Sequence, residues 1–198
     1  MEPGWYPVFP LHSVCFPGHR IALRIFEERY LRLLEDAADR PFFVTALIRS
    51  GEEVGGQASP YLVGTLVQFE TIEDRGDYRC IQPLGLKRLY FEALDRERNP
   101  YLSAHCGAYA DTGVCESTRL RDLEARILGA AASSAGGGVE RLESLMATAR
   151  EKLDLENYSL FLCGCLRLPS IYAQRFLESR LPERRVADAL QILSGNGP

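Results

Sequence analysis

Apart from one inserted helical stretch, the apolar residues of this chain change their period once, and that switch restricts the fold more than any other feature. As far as about Asp111 they recur every second residue, and from Ser117 they recur every three to four. The first spacing is that of strands and the second that of helices. The sequence therefore predicts an α+β protein in two consecutive parts, a β-rich region over 1–112 and a helical bundle over 113–198. An alternating βαβ sheet would repeat the switch many times.

In the β region Phe42 to Ile48 is β-branched and aromatic throughout, which suits a strand buried on both faces. Leu62 to Ile72 carries Val63, Thr65, Val67, Phe69 and Thr71 on one side. The turn residues 73–77 follow, with Tyr78 to Gln82 as the returning strand. The tripeptide Arg75-Gly76-Asp77 is read as part of that turn. Leu86 to Leu94 and Tyr101 to Tyr109 are two further strands around a charged tip. One helix interrupts them, with Phe26, Tyr30, Leu33, Leu34 and Ala37 at helical spacing and Glu27 and Glu28 at the positive end of its dipole. Short strands with one inserted helix predict a small, closed or nearly closed barrel, which leaves few exposed edges.

Past Ser117, Leu120, Leu123, Ile127 and Leu128 mark one amphipathic helix, which ends at the linker Ala135-Gly136-Gly137-Gly138. Leu142, Leu145, Met146, Ala149 and Leu153 mark the next. Tyr158 to Leu168 is apolar on nearly every side and is expected to be the buried hub, with Phe161, Leu162 and Leu166 inaccessible. Pro169 stops it, Ser170 is placed as the N-cap of a following helix, and Val186, Ala189, Leu190 and Leu193 form the inner face of the last one.

Composition narrows the function classes. The 198 residues are 46% hydrophobic and 25% charged, ordinary for a globular chain able to bury a core. A net charge of −4 argues against a nucleic-acid partner, which requires a basic footprint. No apolar run approaches the ~18 residues of a membrane span. The first twenty residues hold four prolines and no signal-peptide pattern, so a cytoplasmic location is expected. Six scattered cysteines are read as small buried hydrophobes. Cys163 and Cys165 point to opposite sides of a helix and suit no shared metal. Neither a phosphate-cradling GxxxxGK[ST] loop nor a GxSxG elbow occurs, so no catalytic residue, metal or cofactor is expected.

The opening reads Tyr6-Pro7-Val8-Phe9-Pro10-Leu11, then Val14-Cys15-Phe16-Pro17-Gly18, then Leu23-Arg24-Ile25-Phe26-Glu27-Glu28-Arg29-Tyr30. It resembles the start of the Lon protease N-terminal domain, with its PLFPL, VLFPG and LRIFEPRY runs. Val63-Gly64-Thr65-Leu66, the segment Leu84 to Phe91, Asn99-Pro100-Tyr101-Leu102 and the stretch from Leu168 to Leu193 are similar to later parts of that family. Only the helix near 117–135 lacks a counterpart. Glu28 stands where the family usually has proline.

The resemblance implies a PUA-like barrel followed by helices, and a module that recognises protein substrates without performing chemistry, as the same domain type does in cereblon. With the sequence stopping at Pro198, a stand-alone member is expected, an adaptor in protein quality control. Its partners would be unfolded or extended polypeptide and a separate protease or ATPase. The alternative is a PUA-like protein that binds RNA or nucleotides.

Candidate contact residues are Val54 and Tyr61, placed at the base of the glycine-rich loop from Ser50 to Pro60, with Gly55 and Gly56 within it, beside a cleft between barrel and bundle. Arg24, Glu27 and Arg29 are read as an ion-pair network that fixes the start of the helix, against a carboxylate site for a peptide terminus. Trp5, Tyr6, Phe9, Phe16, Phe26 and Tyr30 are placed in the core, and any one left exposed becomes a partner hot spot.

Overall fold

Five strands close into a ring in the computed structural model, which describes residues 3–55, 57–133 and 138–195. The chain divides into two compact units, Met1–Tyr109 and Ala110–Pro198.

The first unit contains β1 (Gly4–Leu11), β2 (Leu23–Ile25), α1 (Glu28–Asp36), β3 (Phe42–Ser50), β4 (Ser59–Pro60), β5 (Val63–Gln68), β6 (Glu73–Asp74), β7 (Arg79–Ile81), β8 (Leu84–Asp95) and β9 (Ser103–Ala108). Around the ring the order is β1-β9-β8-β5-β3, and β3 returns to β1. That closing pair is parallel, with Val8 opposite Val44, while the other pairs of the ring are antiparallel.

Alternation sends successive residues to opposite faces. Val8, Val44, Leu66, Leu89 and Ala104, one from each strand, fill the ring. Their neighbours Phe9, Phe43 and Val67 point outward into a second core, with Leu33, Leu34 and Tyr30 of α1. Phe9 and Tyr30 stack there, ring centroids 4.0 Å apart.

The residues that carried the resemblance are structural. A Cβ on Gly64 would stand 2.6 Å from the Thr45 carbonyl oxygen, and one on Gly85 would stand 2.3 Å from that of Phe16. The buried Thr65 hydroxyl donates to the Cys15 carbonyl at 2.6 Å. These contacts lay the Pro17-Gly18 turn onto β8, and Gly85 exchanges backbone bonds with Gly18 and His19.

Three expectations for this unit need correction, one of them the core placement of Trp5, which is 41% exposed. The long strand expected over 62–72 ends at Gln68, and the hairpin partner of β7 is the two-residue β6. The turn between them is real, with the Gly76 N–H donating to Asp74 Oδ1 at 2.8 Å. Phe26 is not in the core: Glu27 is extended (φ −77°, ψ 133°), α1 starts after it, and Phe26 stays 51% exposed.

The second unit holds α2 (Ser117–Ala132), α3 (Val139–Lys152), α4 (Leu155–Gly164), α5 (Ser170–Glu178) and α6 (Pro182–Leu193). As expected, α4 is the hub, with Phe161 and Leu162 fully buried. It starts earlier and stops earlier than its apolar run, because the Asp154 carboxylate caps it by accepting the Asn157 N–H at 2.8 Å. At its other end Arg167 turns the chain with φ 51°, so Leu166 lies past the helix and is only half-buried. Pro169, not Ser170, is the N-cap of α5. The linker glycines 136 and 137 lie outside the described residues.

A buried ion pair joins the two ends of this unit. Arg185, with no exposure, donates to Asp111 through both terminal nitrogens, to the Ser179 carbonyl at 2.7 Å and to the Ser159 hydroxyl at 2.6 Å. Glu124 receives the Tyr158 hydroxyl at 2.7 Å and Arg150 at 3.1 Å, tying α2 to α4 and α3.

Candidate functional site

The glycine-rich loop is strapped to the start of α1. Glu27, the N-cap residue, makes no capping bond with its side chain. Its carboxylate instead accepts the Gly55 N–H at 2.9 Å and the Arg29 guanidinium at 2.9 Å. Arg29 also donates to the Glu53 carbonyl at 3.1 Å, and the Glu53 carboxylate accepts the His12 N–H at 2.8 Å. At the neck, Gly51 has φ +92° and leaves only 2.8 Å between a Cβ and the Gln57 carbonyl oxygen, so glycine is required there. Ile48–Pro60 and Ser50–Ser59 pair across the base.

This geometry places the expected contact residues. Val54 is at the tip rather than at the base where it was expected, and is 57% exposed; Gly55 is the tethered residue, and Tyr61 is half-buried at the base, its N–H on the Leu47 carbonyl at 2.8 Å. Gly56 lies outside the described residues. The predicted Glu27–Arg29 pair forms, but Arg24 is not part of it. Its guanidinium lies 3.8 Å from the centroid of the Tyr78 ring.

Phe26 is the residue that sequence reasoning assigned elsewhere. Phe26 precedes Glu27 and Val54 precedes Gly55, so the Glu27–Gly55 bond sets two exposed apolar side chains beside one pair of tethered residues. The signal in the sequence was its aromatic character just before a helix start. Among the expected core aromatics Trp5 is also exposed, at 41%, but Arg98 covers its ring 5.0 Å from the centroid.

A groove of about 610 Å³ runs over the outer face of the β2-β7-β6 sheet. Its lining includes Arg20 and Arg24, Glu70 and Glu73, and Cys80 and Gln82. The groove is mixed in sign, neither apolar nor strongly positive. A smaller cavity of about 100 Å³ is lined by Gln57 and Ala58 of the loop, Arg29 and Tyr30 of α1, and Arg96. Arg96 donates to the Ala58 carbonyl at 2.7 Å.

Burial pushes the thiols of Cys15, Cys106, Cys163 and Cys165 up to about 12, so they stay protonated at neutral pH. A thiol must give up its proton to act as a nucleophile or a metal ligand, and burial disfavours that step here. Among the described residues no group of three His, Cys, Asp or Glu side chains is placed to hold a metal ion. No helix among them is long and apolar enough to cross a membrane.

A closed five-stranded barrel followed by a bundle of helices is the fold class that these residues build. The profile of the ATP-dependent protease La (LON) substrate-binding domain matches residues 5–195, and the chain belongs to that family. No curated protein matches it. Among solved structures it is similar to a Lon N-terminal domain protein from Xanthomonas campestris, at 22% identity and TM-score 0.61, over 98% of this chain and 99% of that one. It is also similar to the N-terminal domain of a Mycobacterium avium complex Lon protease, at 11% identity and TM-score 0.69, over 96% and 98%. The resemblance read from the opening residues is borne out.

Proposed function

We propose that this chain binds extended or unfolded polypeptide in the cytoplasm, performs no chemistry itself, and serves as an adaptor for a separate ATPase or protease. The observation that carries the reading is the pair Phe26 and Val54, both more than half exposed and held beside one tethered strap. Exposed apolar residues on a fixed scaffold are what a binding surface needs. Membership of a substrate-binding family supports the same reading. The mixed charge of the groove counts against the RNA alternative, which would require a basic stripe.

Affinity should be near micromolar, about −8 kcal/mol, because a disordered segment loses conformational freedom when it docks. The test is fluorescence anisotropy with dye-labelled, reduced and carboxymethylated lactalbumin, a permanently unfolded chain. Phe26→Ser and Val54→Ser should each weaken binding about tenfold, the loss of one apolar anchor, with little change in melting temperature. Wild-type protein that fails to bind the probe, or that cleaves casein through successive purification steps, would overturn the reading. So would RNA binding that falls steeply between about 50 and 200 mM salt.

A further inference from the structure

The backbone ladder beside the groove points to how an extended chain would dock. β2 pairs with β7 in antiparallel register, Leu23 with Ile81, Arg24 with Cys80 and Ile25 with Arg79. The ladder begins earlier than β2 itself: Arg20 faces Leu84, the Ile21 N–H donates to the Pro83 carbonyl at 3.2 Å, and the Gly85 N–H donates to the His19 carbonyl at 2.8 Å.

In an antiparallel pair, residues that exchange hydrogen bonds alternate with residues that do not. Residues 19, 21, 23 and 25 therefore bond toward the partner strand. The N–H and C=O groups of Arg20, Ala22 and Arg24 point the other way, and none of them finds a hydrogen-bond partner among the described residues. All three residues are exposed. This is an open strand edge roughly 20 Å long, the template for another chain.

Charge specifies the occupant further. The Arg20 guanidinium donates to the Gln82 carbonyl at 2.9 Å and that of Arg24 lies over Tyr78. Neither has a carboxylate within ion-pair distance among the described residues. Four residues apart on an extended strand, they are separated by about 13 Å on the groove face. Residues of an added strand directly opposite them share that face and that spacing. Glu73, on β6, lies beyond β7 and so on the far side of the sheet from the edge. Phe26 follows Ile25 directly and is exposed as well.

We propose that an extended polypeptide segment adds as a strand to the His19–Ile25 edge, its main chain bonded to Ala22 and Arg24 and its acidic side chains, four positions apart, set against Arg20 and Arg24. This rests on the polypeptide-binding reading and supplies its docking mode. Main-chain recognition tolerates many sequences, and the arginines add a preference.

Ala22→Pro is the discriminating variant. Proline is tolerated on an edge strand where its missing N–H faces solvent, so the ladder to β7 should survive while the outward donor is lost. With labelled carboxymethylated lactalbumin as probe, Ala22→Pro should bind at least about tenfold more weakly than wild type at an unchanged melting temperature. Hydrogen exchange of the Ala22 and Arg24 amides in the wild-type protein should slow when the probe is added, a readout independent of how the variant folds. A short Thr/Val peptide with two Glu four positions apart should bind about fivefold tighter than its Lys counterpart, the scale of two exposed cross-strand pairs. Unprotected Ala22 and Arg24 amides, or a folded Ala22→Pro that binds like wild type, would overturn the docking mode. If Phe26→Ser still weakens binding in that case, the polypeptide-binding reading stands. If the wild-type protein does not bind the probe, both fall.

Discussion

Glu27 and Gly55 are joined by a 2.9 Å hydrogen bond from the loop amide to the helix-cap carboxylate, across 28 positions of sequence. The bond makes the start of α1 and the tip of the loop one unit. Glu27→Ala removes it together with the ion pair to Arg29. The loss should be about 1–2 kcal/mol of stability, the scale of a partly exposed bond to a charged group. Hydrogen exchange should quicken at 53–55, and probe affinity should fall with it. Unchanged exchange at Gly55 would show that the strap is held by other contacts.

Gly85→Ala forces a Cβ to 2.3 Å from the Phe16 carbonyl oxygen, a backbone atom already positioned by ladder bonds. Urea denaturation should show a loss of about 3 kcal/mol, at the upper end of overpacking costs. Gly129→Ala is the opposite case. It sits inside α2 with no atom within 4 Å of the added carbon, and should stabilise by roughly 0.5–1 kcal/mol through helix propensity.

Asp111→Ala leaves the Arg185 guanidinium buried without its carboxylate. Breaking such a pair costs about 3–5 kcal/mol. Replacing both residues, Asp111→Leu with Arg185→Met, should recover much of that loss, because the uncompensated charge goes too. Equal denaturation midpoints for Asp111→Ala and wild type would mean that Arg185 is satisfied by Ser159 and Ser179 alone.

Buried thiols also set a pH dependence. Those of Cys15, Cys106, Cys163 and Cys165 are raised by desolvation to about 12 in the folded protein, above the unfolded value near 9. The folded state therefore favours the protonated form. Its stabilisation is fully present below about pH 9 and declines as pH rises toward about 12, when the unfolded chain ionises first. Denaturant midpoints should thus fall between about pH 8 and 10.5. Under native conditions the half-buried Cys80, on the groove floor, should react with a thiol reagent before the other cysteines do.

The order of strands before helices, the barrel, the inserted helix and the α4 hub were legible in the sequence, because each follows from a local period. The parallel β1–β3 pair that closes the ring was not, since Val8 and Val44 meet through topology rather than through any repeat. Phe26 was misplaced because it sits four residues before Tyr30 and so mimics a helical position, although the helix starts only after Glu27. The loop was visible through its glycines. Its tether was not, because neither Glu27 nor Gly55 signals the other over that separation.

Each unit is sealed by its own extremities. β1 takes β9 as its neighbour, with Tyr6 opposite Ala104, and Asp111 takes Arg185, 74 positions later. A chain emerging from the ribosome can thus finish its first unit once β9 is out, before any helix of the second exists. The second unit must wait for α6, and until then Asp111 remains a solvated carboxylate on an unfinished bundle. Contacts this distant in sequence make both closing steps late and slow relative to helix formation. The two halves should therefore mature in succession during synthesis, the barrel first.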